Sequence, residues 1–184
     1  MLNSASREDY ITNCTFNNGK GVGINLGSRS LRISIIDCTF NNNSQSVNDN
    51  FPESGGDAIF VIASNNVSIV RCSFNDNKLY REGDFGGYGG AIYLYSSKNI
   101  NIIDSTFSSN VAPIGGAIAF MDTNGSMVNC SFVDNVASDY GSSIYIKAGS
   151  NVDIRDSSAT PSVGDIKAPI YNDGTILSSV VITT

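Results

Sequence analysis

Gly89-Gly90-Ala91-Ile92 returns as Gly115-Gly116-Ala117-Ile118, and behind each run comes an aromatic with an Asn three residues on: Phe107 with Asn110, Phe132 with Asn135. This self-similarity constrains the fold more than any other feature. A repeat of this size is one structural unit that cannot bury its apolar side alone. Aligned on the aromatic, the copies run Phe16, Phe40, Phe74, Phe107 and Phe132, with Ala159 in the sixth place. Aligned on the first glycine they run Gly21, Gly56, Gly89, Gly115 and Gly141. Successive copies lie about 25 residues apart, stretched to about 33–35 in two places. About six copies use up the 184 residues, so one domain is expected over 1–184 with no room for a second.

Within each copy the apolar residues alternate with period two, which marks strands rather than helices. Ile24 and Leu26, Ile92 and Leu94, Ile118 and Phe120, Ile144 and Ile146 face one way. A second strand presents Val67 and Ile69, Ile100 and Ile102, Val152 and Ile154. The phase then slips by one residue at Ile35-Ile36, Ile69-Val70 and Ile102-Ile103, and a one-residue slip exchanges the two faces. A corner is expected there, with a third strand burying Ile36, Cys38 and Phe40, then Val70, Cys72 and Phe74. Three short strands per copy and no helical stretch describe an all-β solenoid, a parallel β-helix of about six coils. At about 4.8 Å per coil the rod is roughly 29 Å long. The Phe stack is its main stabiliser, at about 1.5–3 kcal/mol per buried ring and about 0.5–1.5 kcal/mol per stacked pair.

Two polar ranks read as architecture. The glycines Gly56, Gly89, Gly115 and Gly141 fit a corner with positive φ or a close backbone approach. Asn43, Asn77, Asn110 and Asn135 fit a left-handed corner whose amides bond one another along the stack. Cys14, Cys38, Cys72 and Cys130 share the slot two before the aromatic, where Ser105 and Ser157 stand in other coils. Their side chains run parallel, so free thiols filling the core are expected rather than disulfides.

Composition narrows the partners. A net charge of −6 and a pI of about 4.4 oppose nucleic acid, which needs a basic face. The longest apolar run, Ala58 to Ala63, is strand-sized, so no membrane insertion is expected. Without His or a Cys-x-x-Cys pair, no metal site or cofactor is expected. The start, Met1-Leu2-Asn3-Ser4, lacks the regions of a signal peptide, so an exported protein of this kind would carry signal and anchor elsewhere.

Two surfaces are candidate ligand sites. The first is the pair of insertions after the Asn corner, residues 44–54 and 78–88, which leave the same corner of adjacent coils and should pack as one projection. Phe51, Tyr80, Arg81, Asp84, Phe85 and Tyr88 suit a sugar or a surface protein; the same loops could instead cover the corner and pack on themselves. The second is the outward rank beside the Gly-Gly-Ala motif: Asn25, Phe60, Tyr93, Ala119, Tyr145 and Tyr171, with Tyr95 alongside. Aromatics in a line stack on polysaccharide or bury against another segment. Asp37, Arg71 and Asp104 fall on three consecutive coils and read as a surface ion-pair ladder rather than a catalytic carboxylate pair.

The tandem Gly-Gly-Ala-Ile runs, with Phe40-Asn41-Asn42-Asn43, Phe74-Asn75-Asp76-Asn77, Phe107-Ser108-Ser109-Asn110 and Phe132-Val133-Asp134-Asn135, resemble the repeats of chlamydial polymorphic membrane proteins. They also resemble the adhesin-like proteins of methanogenic archaea. The resemblance implies a right-handed parallel β-helix at the cell surface or outside the cell, serving adhesion or structural coating without catalysis. A glycan or surface protein would be the partner. Pectate lyases and related carbohydrate-active enzymes build similar rods, which is the enzymatic alternative. The chain starts within a coil and stops in a strand without a polar cap. That fits a segment of a longer rod, or copies joined end to end into a filament.

Overall fold

The computed structural model describes residues 2–4, 7–27, 29–48, 55–83, 86–161, 168–177 and 181–182. Its strands stack in three parallel ladders, each joining equivalent residues of consecutive coils. The first ladder includes Ile24–Leu26, Ile59–Ile62, Ile92–Tyr95, Ile118–Met121 and Ile144–Ile146. The second includes Leu31–Ile36, Asn65–Val70, Lys98–Ile103, Asn124–Val128 and Asn151–Arg155. The third runs from Thr15–Asn17 through Thr39–Asn41, Ser73–Asn75 and Thr106–Ser108 into Ser131–Tyr140. This is a parallel β-helix.

The inward ranks form one core. Ile24, Ile59, Ile92, Ile118 and Ile144 meet Ile35, Ile69, Ile102 and Ile154 across it, and Phe40, Phe74, Phe107 and Phe132 close the third side. The Phe rings stack face to face with Phe16, centroids 4.7–4.9 Å apart and planes within 5°. Ring spacing follows strand spacing, so the rank is as regular as the backbone beneath it.

The second corner lies one residue later than the phase slip indicates. Ile36, Val70 and Ile103 are half-buried and end their strands. The chain turns at Asp37, Arg71 and Asp104, whose φ values are 54°, 50° and 52°. The expected burial of Ile36 and Val70 in the third strand is thereby corrected.

The corners on either side of the second ladder share one device: a residue in the left-handed region, then a short side chain that donates back to the carbonyl two residues before it. Ser97 and Thr123 do this to Tyr95 O and Met121 O, each at 2.9 Å. Ser105 and Ser157 do it to Ile103 O and Arg155 O at 2.9 Å, and Cys72 Sγ to Val70 O at 3.4 Å. The hydroxyl then accepts from the backbone of the preceding coil, as Ser105 Oγ does from Cys72 N at 3.1 Å. The cysteine slot is therefore a corner-capping position as well as a core filler. All four thiols are free. Burial pushes those of Cys72 and Cys130 up to about 11, so they are un-ionised at neutral pH.

At the third corner the left-handed residues are Asn42, Asp76, Ser109 and Asp134, with φ between 50° and 55°. They precede Asn43, Asn77, Asn110 and Asn135, which do not themselves occupy that region. The buried Asn rank instead forms the amide ladder: Nδ2 of each donates to Oδ1 of the next at 2.9 Å. The first glycine of each motif does turn the chain; at Gly89, with φ of 65°, a Cβ would lie 2.0 Å from Ile92 O. Gly90 is needed for approach, since a Cβ there would stand 2.3 Å from Gly116 O.

The two insertions do pack together, and further than expected. Ser44–Asn48 and Lys78–Glu82 pair in parallel register from Lys78↔Ser44 to Glu82↔Asn48. Val111–Ile114 and the distal half of Ser131–Tyr140 continue the same ladder. A fourth, projecting sheet thus rises from the Asn corner of four consecutive coils. Its inner side buries Val47, Leu79 and Ala112.

Candidate functional site

The projecting sheet joins the two surfaces that the sequence presents separately. Tyr88, at the end of the second insertion, bridges to Gly55 and Ile114 and stacks on Tyr93 at 5.3 Å. In the outward rank Ala119 stands between Tyr93 and Tyr145 and leaves a slot for a ring. Tyr88 packs into this cluster with Ala119, Met121 and Tyr95. Tyr145 has its phenol pushed up by burial first and then by Tyr88, Tyr171, Asp173 and Tyr140.

The outward aromatics are consequently not a stacking platform. Tyr93 is 0% exposed, so of the two readings of this rank, stacking on a polysaccharide or burial, burial holds for it. Phe60 lies on it at 5.2 Å with planes 5° apart, and Tyr95 is tilted against it at 6.1 Å. Tyr145 and Tyr171 stack at 5.4 Å. Rings stacked along the rod use their faces on one another and offer solvent their edges, whereas a sugar needs a face. Tyr93 and Tyr95 are therefore corrected to packing residues, and Tyr88 fastens the projection to the rod.

What remains open is the outer side of the projecting sheet. Tyr80 is 51% exposed and has no ring partner among the described residues. Beside it a groove of about 290 Å³ is lined by Val111, Pro113, Val136 and Ser138 together with Arg81. That volume is just below the range of about 300–1,000 Å³ typical of small-molecule pockets, so the groove suits the face of one ring or a short segment of chain. Arg81 does not reach out to a ligand. Its guanidinium holds Asp139 at 2.7 and 3.4 Å, spanning the intervening strand. Both partners are half-buried and Ser138 Oγ donates to the same carboxylate, so the pair holds Arg81 in place against the groove. Tyr140, 49% exposed, stands farther along, tilted against Tyr171 at 4.9 Å. Of the other candidates, Phe51, Asp84 and Phe85 lie outside the described residues.

Val111, Pro113, Val136, Ser138 and Asp139 were not marked as site residues by sequence. A signal exists: Val111-Ala112-Pro113-Ile114 and Val136-Ala137-Ser138-Asp139 follow the Asn corner as Lys78-Leu79-Tyr80-Arg81 does.

Of the Asp37–Arg71–Asp104 rank only the first two form an ion pair, so the expected ladder is a single surface pair. Arg71 grips Asp37 at 2.7 and 2.8 Å, and this hydrogen bonding holds the Asp37 carboxyl below its ordinary value, which disqualifies it as a proton donor near neutral pH. Asp104 accepts instead from Asn129 Nδ2 at 2.8 Å. Arg71→Ala is expected to return the Asp37 carboxyl toward its ordinary value in an NMR titration and to leave the unfolding midpoint in place. A large fall in the midpoint would show the pair to be structural. Among the described residues no group of three Cys, Asp or Glu side chains is placed to hold a metal ion, and no helix is long and apolar enough to cross a membrane.

The family described as right handed beta helix region matches residues 2–175. This chain belongs to that family. Its right-handed β-helix shares 11% identity with a protein from Parabacteroides merdae ATCC 43184 provisionally named a glycosyl hydrolase, over 91% of this chain and 82% of that one, with a TM-score of 0.47. QnrB1, a plasmid-mediated fluoroquinolone resistance protein, aligns in one trypsin-treated form at 10% identity over 88% of this chain and 91% of that one, TM-score 0.24. A second trypsin-treated form aligns at 9% identity over 94% and 92%, TM-score 0.21. No curated relative matches the sequence.

Proposed function

We propose that this β-helix is a non-catalytic binding rod, displayed at a cell surface or outside the cell and serving adhesion, with the projecting sheet as its contact face. The observation that carries the reading is the groove beside Tyr80: an open aromatic face, apolar walls at Val111, Pro113 and Val136, and Arg81 held in place against it by Asp139. An exposed ring on a rigid, repeat-stacked sheet costs little entropy to use as an anchor. The resemblance to chlamydial and archaeal surface repeats points the same way, as does an acidic chain that repels nucleic acid.

The test is a broad glycan and surface-protein array probed with the purified chain and with Tyr80→Ala. Binding that weakens about tenfold or more in the variant supports the reading, since aromatic anchors dominate such contacts. Binding unchanged in Tyr80→Ala would displace the site from the groove. Cleavage of a bound glycan would replace adhesion with the carbohydrate-processing alternative.

A further inference from the structure

A second concavity lies on the outer face of the second ladder, away from the projecting sheet. One residue in it breaks the pattern of the ladder. Along the inward rank Ile33, Val67 and Ile100 are followed by Gly125 and then Val152. A Cβ at Gly125 would stand 2.5 Å from Ile100 O and 3.1 Å from Ile100 Cβ, so backbone occupies the room a side chain takes in the other coils. Gly125 itself lines a trough of about 560 Å³ on this outer face, a volume well within the range of ligand sites.

The trough is lined by Asn99, Asn101, Asn124, Ser126, Asn151 and Leu177 beside Gly125, and among the described residues no charged side chain lines it. Asp153 and Arg155 belong to the same ladder and pair with each other at 3.1 Å. The amides are tied down from one end. Asn99 Nδ2 donates to Asn65, Asn101 Oδ1 accepts from Ser126, and Asn124 Oδ1 accepts from the backbone and side-chain nitrogens of Asn151. That leaves Nδ2 of Asn101 and Asn124 to donate, and Oδ1 of Asn99 and Asn151 to accept. Hydroxyl groups, each donor and acceptor at once, match such an array. Exposed Leu177 supplies an apolar wall for the carbon face of a ring.

We infer that this trough is a second binding site, for an uncharged oligosaccharide laid along the rod across four coils, about 14 Å at the strand spacing. A peptide is the poorer fit, because peptides add to a sheet edge or fill apolar pockets, and this is the polar face of a continuous ladder. The inference stands independently of the groove beside Tyr80.

The experiment is a titration of the full chain with uncharged gluco-, manno- and xylo-oligosaccharides, read by side-chain amide shifts in NMR. Three proteins are compared: the native chain, Asn101→Ala with Asn124→Ala, and Tyr80→Ala. Shifts at Asn99, Asn101, Asn124 and Asn151 are expected in the native chain and in Tyr80→Ala, with affinity about tenfold weaker in the double variant. Circular dichroism of that variant confirms that the outward substitutions leave the fold intact. Shifts confined to the Tyr80 groove, equal affinity in the double variant, preference for charged sugars, or no shifts at all would each overturn the site.

Discussion

Asn110→Ala is expected to lower the stability of the rod by on the order of 4 kcal/mol, a large share of the roughly 5–15 kcal/mol typical of a domain. Asn110 is fully buried at a middle coil, and its side chain completes four hydrogen bonds. Oδ1 accepts from Asn77 N at 3.1 Å and Asn77 Nδ2 at 2.9 Å; Nδ2 donates to Phe74 O at 3.0 Å and Asn135 Oδ1 at 2.9 Å. Alanine removes all four and leaves the partners buried, and each orphaned group costs about 1–3 kcal/mol. Asn110→Asp is no remedy, because an ionised carboxylate accepts but cannot donate to Phe74 O or Asn135 Oδ1. Urea unfolding followed by circular dichroism measures the loss. Exchange of the Asn77 backbone amide, otherwise capped by Asn110, should accelerate in parallel. A loss below about 1 kcal/mol, the scale of an ordinary surface change, would show that the ladder is decorative.

The Asn rank also shows what sequence period reveals and what it does not. Residues recurring once per coil stack, so the Phe column and the amide ladder could be read from position alone. The turn could not be placed within one residue, because Asn42 and Asn43, or Asp134 and Asn135, are both credible left-handed residues. The structure separates them: the first takes the positive φ and the second turns inward to bond along the stack. The same ambiguity moved the second corner from Ile36 to Asp37.

The binding surfaces were less legible, for a different reason. Alternation tells which side of a strand a residue faces; it does not tell what covers that side. Tyr93 faces outward as the pattern requires, yet it is buried because Tyr88, from a segment that leaves a different corner, comes back over it. The groove was missed in part because Val111–Ile114 and the distal part of Ser131–Tyr140 are too short to signal a strand by themselves. They become strands by pairing with the insertions. The trough was not read from the sequence: Gly125 interrupts the Ile/Val rank, but only the backbone shows that a side chain there would meet Ile100.

Asp57 is where the rod carries a cost that pH can remove. It replaces the second glycine of the motif, and its side chain is 0% exposed. Gln45 faces it closely enough to favour the charged carboxyl in part, yet within the described residues neither carboxyl oxygen nor Gln45 Nε2 reaches the geometry of a full hydrogen bond. Burial pushes the carboxyl up to about 8, with Gln45 opposing the shift only in part. The folded state therefore holds a proton that the unfolded chain releases above about 3.8. The sign follows: this group's contribution is fully present below pH about 3.8, declines as pH rises toward about 8, and levels off beyond. At about 1.4 kcal/mol per pH unit the decline reaches on the order of 4 kcal/mol by pH 7. Asp57→Asn keeps the shape and the unpartnered amide but carries no titrating group, so its offset from the native chain should change with pH by that amount. Denaturant unfolding of both proteins between about pH 4 and pH 8 isolates the term, because carboxylates such as Asp37 shift identically in each and cancel in the difference. The variant is expected to gain steadily on the native chain across that window. Parallel stability curves would mean that Asp57 is ionised in the folded rod and has found a partner for its charge.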